Sequence, residues 1–208
     1  MIPDKHFEYV YLKSCELLLN SGIICLPVNP YDIIKKNHWG LVSYTELCSI
    51  VGEASVDSIT EACKSRDGFT VFSGDNYCIA YNDTVRVKSR ITFTLMHEAG
   101  HIVCRHFSGH TLSRANYLVY ENEANFFASN ILAPAAVIKA CGLNTPELLM
   151  AACGISYNAA KARLSNLDFQ YIPDIDNKIL KAFDSYISIC KRRMNAKFAD
   201  IICDGAPI

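Results

Sequence analysis

Apolar and polar positions alternate in a way that divides the chain into a helical start, a short run of strands and a longer helical remainder. Residues 4–20 carry apolar side chains at helical spacing before Gly22, which predicts an amphipathic helix. A short helix led by Pro30 follows in "PYDIIKKN", and "WGLVSY" is a candidate strand. Residues 45–64 are predicted to be helical with a break near Gly52.

The pattern changes to short β-branched and aromatic segments over residues 68–88. "GFTVFSG", "YCIAYN" and "TVRVK" are separated by Gly-Asp-Asn and Asn-Asp turns, which predicts two or three antiparallel strands. Ser89 is a candidate N-cap for the next helix, and a further helix is predicted from about residue 118 to 132, before Pro134. The predicted fold class is therefore α+β, mainly helical, with a small antiparallel sheet of about three strands.

Two regions are predicted along the chain, residues 1–140 and a helical C-terminal region over 141–208. Within the second region, residues 145–167 give a helix, a tight turn at Gly154 and a second helix capped by Ser156. This is the spacing of a helix-turn-helix.

Charge argues against a large nucleic-acid surface. Lys and Arg total 20, Asp and Glu total 21, and the formal charge is -1. The second helix of the 145–167 segment carries only Lys161 and Arg163, too few cations to favour DNA binding. Packing within the protein is the preferred interpretation of this segment, with DNA binding as the alternative.

The N-terminus and the cysteines indicate a cytoplasmic protein. The first residues lack a basic region followed by an apolar signal core, and no apolar run reaches the roughly 18 residues that span a bilayer. The ten cysteines contain no Cys-x-x-Cys pair, so we expect reduced thiols in a reducing compartment and no membrane partner. The sequence does not indicate an oligomeric state.

A metal-binding pattern lies in "LMHEAGHIV". His97 and His101 are one helical turn apart, so their imidazoles point the same way and can occupy two corners of a zinc tetrahedron. Glu98 lies one residue around the helix, where it can contact a metal-bound water as a general base. Gly100 would allow a neighbouring helix to approach closely.

A third ligand is predicted in "YENEANFFASNILAP", residues 120–134. Glu121 faces the same way as Asn125, which could hydrogen-bond a ligand imidazole and fix its orientation. Glu123 is the competing ligand, and the spacing of Glu121 with Asn125 favours Glu121. A thiolate from Cys104 would instead close the site into a structural one.

These two segments resemble the ImmA/IrrE family of metallopeptidases. The matching residues run from Phe93 to His101 and from Glu121 to Pro134, and the resemblance covers about residues 70–135. It implies a zincin-like, zinc-dependent endopeptidase with His97, His101 and Glu121 as ligands. It also implies a protein substrate, a helix-turn-helix repressor of a phage, mobile element or stress regulon.

Two further features of the predicted site concern the substrate. Candidates for a second electrophile at the transition state are His110, Tyr117 and Tyr120. An extended substrate would add to an edge strand, and "YCIAYN" is the candidate strand. The residues assigned to it are Cys78, Ile79, Ala80 and Tyr81.

Alternatives of a different class stay open. The metal site could be structural in a DNA-binding or protein-binding regulator without peptidase activity, or the peptidase could belong to a toxin–antitoxin pair. The presence of Glu98 distinguishes an enzyme from the first alternative, because a structural metal site needs no general base beside the metal. Mn or Fe can also occupy a site of two histidines and a carboxylate.

Overall fold

Helices make up most of the described chain, which in this computed structural model comprises residues 5–53, 55–74, 76–106, 114–167 and 172–193. The strands are β1 (Gly40–Ser43), β2 (Gly68–Ser73) and β3 (Asn76–Tyr81). The helices are α1 (Lys5–Asn20), α2 (Pro30–Lys36), α3 (Tyr44–Val51), α4 (Val56–Cys63), α5 (Lys88–Val103), α6 (Arg114–Leu132), α7 (Ala135–Cys141), α8 (Pro146–Cys153), α9 (Tyr157–Ser165) and α10 (Pro173–Ala182). Residues 184–193 are also helical.

The three strands form one mixed sheet in the order β1-β3-β2. β2 and β3 are antiparallel neighbours, whereas β1 pairs with β3 in parallel. The predicted fold class, α+β and mainly helical with a small sheet, is confirmed, but the expectation of a purely antiparallel sheet is wrong. The reason is that α3, α4 and β2 separate β1 from β3 in the chain, and such a crossover allows a parallel pair.

The predicted strand over residues 84–88 is absent from the described structure. Both edges of β3 are already occupied by β1 and β2, so the following segment has no partner in β3. It turns instead, with the Thr84 backbone N–H donating a 3.0 Å hydrogen bond to Asn82 Oδ1.

Two helix starts also differ from the prediction. α5 begins at Lys88 with Val87 in the cap position and without a side-chain cap hydrogen bond, so the Ser89 cap is wrong. α6 begins at Arg114, four residues before the predicted start, and it ends at Leu132 as expected.

The sheet buries both of its faces, as neighbouring residues of β3 demonstrate. Ile79 is fully buried and belongs to the main apolar cluster with α5. Ala80, one residue on, points to the opposite face and packs with Tyr44 and Ile59 of α3 and α4 in a second, smaller cluster. The sheet therefore supports α5 on one side and is covered by two short helices on the other.

The main apolar cluster extends from Val10 in α1 to Ile187 near the end of the described chain. α5 packs on the sheet and on α6, α6 packs on α1, and α1 packs on α10. Residues on both sides of position 140 share this cluster, and the division at that position stays a prediction.

The helix-turn-helix-like segment has the predicted local structure. Gly154 adopts a left-handed φ of 67° at the end of α8, and the Ser156 side chain accepts from the Ala159 N–H at the start of α9. Arg163 of α9 is buried, and its guanidinium donates to the backbone oxygen of Ala133 and to Asn130 Oδ1 at 2.8 and 2.7 Å. That side chain therefore serves packing.

One stretch of the described chain, Asn116–Cys141, is long and apolar enough to cross a membrane by length and composition alone. However, 67% of its most apolar window is buried inside the protein, as in a core helix.

Candidate metal centre and active site

The site forms where α5 and α6 approach each other, and Gly100 permits that approach. A Cβ atom built on Gly100 would lie 3.0 Å from Ala124 Cα and 3.2 Å from the Ala124 backbone oxygen and from Phe127 Cβ. Any larger residue would push the helices apart. The prediction that Gly100 allows a neighbouring helix to come close is therefore confirmed.

Three potential ligands meet across this contact. His97 Nε2 and His101 Nε2 are 3.1 Å apart, and each lies 3.4 Å from a carboxylate oxygen of Glu121. Ligands about 2.0–2.1 Å from a tetrahedral metal are separated by roughly 3.3 Å. The donor set and its spacing thus fit a single metal ion. Within the described part of the chain, these three residues form the group that could bind a metal.

The other nitrogen of His97 fixes the orientation of that ring. Its Nδ1 lies 2.9 Å from Asn125 Oδ1. An amide oxygen only accepts, so Nδ1 carries the hydrogen and Nε2 keeps its lone pair toward the metal position. Asn125 thus occupies the place expected of it from the sequence.

His101 is held in its neutral form. Burial, with smaller contributions from His97 and His106, lowers its pKa to about 3. A neutral imidazole is the form that binds a metal, so at neutral pH His101 needs no deprotonation first.

The carboxylate of Glu98 is buried and lies in the same cleft. Burial raises its pKa to about 7, the hydrogen bond from Thr70 lowers it, and the charge of Glu121 raises it further. The Thr70 hydroxyl donates to Glu98 Oε2 at 2.8 Å. A carboxyl whose pKa is near neutrality can exchange a proton with substrate at physiological pH.

His106, which the sequence did not assign to the site, and Glu123, which it offered only as a competing ligand, both adjoin the site. His106 Nδ1 lies 2.9 Å from His101 Nδ1, and His106 Nε2 lies 2.8 Å from Glu123 Oε2. Glu123, the competing ligand, therefore contacts His106, while Glu121 lies with the two potential histidine ligands. The signal available in the sequence was the placement of His106 five residues after His101.

The site opens into a cleft of about 490 Å³. Tyr117 lines it beside Glu121, whose charge raises the pKa of the tyrosine. Tyr120 stacks instead on His106, with ring centroids 4.3 Å apart. His110, the other candidate electrophile, lies outside the described residues.

The predicted substrate strand is wrong. β3, which contains Cys78, Ile79, Ala80 and Tyr81, is the central strand and is paired on both sides. The edge strands of the described sheet are β1 and β2, and of these β2 contributes Gly68 and Thr70 to the lining of the cleft. β2 is therefore the edge next to the site.

Cys104 does not join the ligand group within the described part of the chain. Burial raises the pKa of its thiol to about 12, which keeps it protonated, whereas the thiolate is the form that binds metals. The group thus has three protein ligands and an open side toward the cleft, as catalytic rather than structural sites do.

Two histidines and a glutamate from adjacent helices, with a buried carboxylate beside them at the end of a cleft, define a metallopeptidase-type site. The family model of the IrrE N-terminal-like domain, a peptidase family, matches residues 59–165. The chain therefore belongs to the ImmA/IrrE family of metallopeptidases. A comparison with curated proteins finds no match.

Proposed function

We propose that the protein is a zinc-dependent endopeptidase that hydrolyses a peptide bond in a specific intracellular protein. The observation that carries the proposal is the spacing of 3.1–3.4 Å among His97, His101 and Glu121. Two imidazoles and one carboxylate at tetrahedral spacing favour zinc.

The chemistry divides between the metal and the buried glutamate. A bound divalent ion would activate water and polarise the scissile carbonyl. Glu98 accepts the proton from that water and delivers it to the leaving amine. Thr70 orients the Glu98 carboxylate during both transfers, and Tyr117 is the candidate that donates to the developing oxyanion.

An extended substrate segment would lie along the free edge of β2. Backbone N–H and C=O groups on such an edge bind a peptide as an added strand. Gly68 and Thr70 lie in both β2 and the cleft wall, so a peptide paired with this edge would pass next to Glu98.

The proposed substrate is a helix-turn-helix repressor of a phage, mobile element or stress regulon, cleaved in the cytoplasm. Family membership supports this target, since several members of the family cleave such repressors. The cysteines of the described residues are free thiols, which agrees with a reducing compartment. We propose neither a DNA nor a membrane partner, and the burial of Arg163 does not favour DNA contact by α9.

The Glu98→Gln substitution tests the proposal against a regulator with a structural metal. We expect purified wild-type protein to contain one zinc per chain by elemental analysis. It should cleave the repressor encoded beside its gene into two fragments resolved by mass spectrometry. Glu98→Gln should retain the zinc and lose cleavage by at least about a hundredfold, because general-base catalysis supplies 10²–10⁴.

Glu8→Gln, on the exposed face of α1, is the matched control and should behave as wild type. Undiminished cleavage by Glu98→Gln would exclude the mechanism. Zinc binding by a wild-type protein that leaves the repressor intact, while still acting on its genes, would favour the regulator.

A further inference from the structure

A chain of hydrogen bonds leaves the metal site on the far side of His101. It runs from His101 Nδ1 to His106 Nδ1 at 2.9 Å, and from His106 Nε2 to Glu123 Oε2 at 2.8 Å. His106 and Glu123 are 7% and 8% exposed, so water competes little for these contacts.

The way α5 ends brings His106 to this position. Arg105 adopts a left-handed φ of 58°. The His106 N–H then donates back to the His101 oxygen at 3.0 Å, and the Arg105 N–H donates to the Ile102 oxygen at 3.1 Å. This pair of hydrogen bonds is the Schellman arrangement of a helix C-terminus. It reverses the chain so that the ring of His106 lies against that of His101.

The hydrogen-bond partners determine which nitrogens carry hydrogen. A carboxylate only accepts, so His106 Nε2 donates to Glu123. A neutral imidazole has a single N–H, so His106 Nδ1 must accept, and His101 Nδ1 donates to it. His101 Nε2 is left with its lone pair, 3.1 Å from His97 Nε2 and 3.4 Å from Glu121.

We propose that Glu123 and His106 form a relay that fixes the tautomer and orientation of His101 for metal binding. Both are positioning residues that act through His101, and the metal-binding part of the proposal rests on the proposed function. Asn125 performs the same task for His97 with a single amide. The stacking of Tyr120 on His106 at 4.3 Å holds the ring in the plane that reaches both partners.

His106→Phe tests the relay because it keeps a planar ring on Tyr120 and removes both nitrogens. We expect its zinc affinity, measured by competition with a chelator, to fall about 10- to 100-fold, the usual effect of losing such a partner. In the metal-free wild type, ¹⁵N NMR of His101 should show the Nδ1–H tautomer, and in His106→Phe this preference should be lost.

Three further variants separate the relay from packing. Tyr120→Leu removes the stacking and keeps the nitrogens, so the tautomer of His101 should persist. His106→Asn offers an acceptor oxygen to His101 and should recover part of the affinity. Glu123→Leu should mimic His106→Phe, whereas Glu123→Gln keeps an acceptor and should lose less.

The relay is wrong if His106→Phe binds zinc as tightly as wild type, or if wild-type His101 carries its hydrogen on Nε2. A wild type that shows the Nδ1–H tautomer but binds no metal would overturn the proposed function and leave the relay standing. The two proposals therefore fail by different measurements.

Discussion

At the scale of single residues, the orientation of Glu98 depends on Thr70. A buried carboxylate has few water molecules to fix its orientation, and the 2.8 Å hydrogen bond from the Thr70 hydroxyl constrains it. The same contact lowers the pKa of Glu98 against the larger, opposing effect of burial. Thr70 therefore acts on both the position and the acidity of the proposed base.

Thr70→Val should reduce kcat about tenfold, within the range seen when a supporting hydrogen bond is lost, and leave zinc content unchanged. Loss of the hydrogen bond raises the pKa of Glu98, so the acid limb of the kcat/KM profile should move to higher pH. Thr70→Ser keeps the hydroxyl and should retain both the rate and the profile. An unshifted acid limb in Thr70→Val would contradict the assignment.

The residues of the site differ in how far the sequence could predict them. His97, Glu98 and His101 follow from helical spacing alone, and Glu121 follows from its pairing with Asn125 on a second helix. No sequence pattern indicates a role for Thr70, because "GFTVFSG" has the ordinary pattern of a half-buried strand. Its role arises only when β2 packs on α5, which is a contact between distant parts of the chain.

At the scale of elements, the contact between α5 and α6 sets the spacing of the ligands. The two histidines belong to α5 and the glutamate to α6, so a small separation of the helices moves Glu121 away from both. Gly100 faces the backbone of Ala124, and backbone atoms cannot rotate away as a side-chain tip can. The metal site therefore depends on a residue that binds nothing.

Gly100→Ala should lower both stability and zinc affinity. Alanine gains about 1 kcal/mol of helix propensity over glycine, but overpacking costs about 1–3 kcal/mol, and contact with backbone favours the upper part of that range. We expect a net loss of up to about 2 kcal/mol in urea unfolding and weaker zinc binding in chelator competition.

Asn122→Ala adds helix propensity on the exposed face of α6 without overpacking, so it should be neutral or slightly stabilising. A Gly100→Ala protein with wild-type zinc affinity would imply that the helices can separate without moving Glu121.

Helices were predictable from the sequence to within a few residues, and so were the strands β2 and β3, whereas the order and direction in which the strands pair were not. The period of apolar residues identifies α1, α2 and the break at Gly52, because these depend on local spacing. The parallel pairing of β1 with β3 joins segments more than thirty residues apart in the chain, and no local pattern encodes it. The mistaken edge strand follows directly, since it assumed that β3 had a free side.

At the scale of the whole molecule, the C-terminal helices are part of the body that holds the site. Buried Asp176 of α10 accepts hydrogen bonds from Tyr11 of α1 and from the Ile172 N–H. Arg163 of α9 binds the segment where α6 ends and α7 begins. α6, which carries Glu121, is therefore held by α1 on its side and by α9 at its end.

Arg163→Ala distinguishes this packing role from DNA recognition by α9. It leaves buried Asn130 Oδ1 and the Ala133 oxygen without these hydrogen bonds, and each such loss costs about 1–3 kcal/mol. We expect the free energy of unfolding in urea to fall by about 3 kcal/mol. Lys161→Ala, exposed on the same helix, should leave stability unchanged.

If α9 instead contacted phosphates, Lys161→Ala would weaken duplex DNA binding in a gel-shift titration, and Arg163→Ala would weaken it without loss of stability. Because a buried guanidinium cannot reach a phosphate unless α9 leaves the core, we expect the stability loss alone.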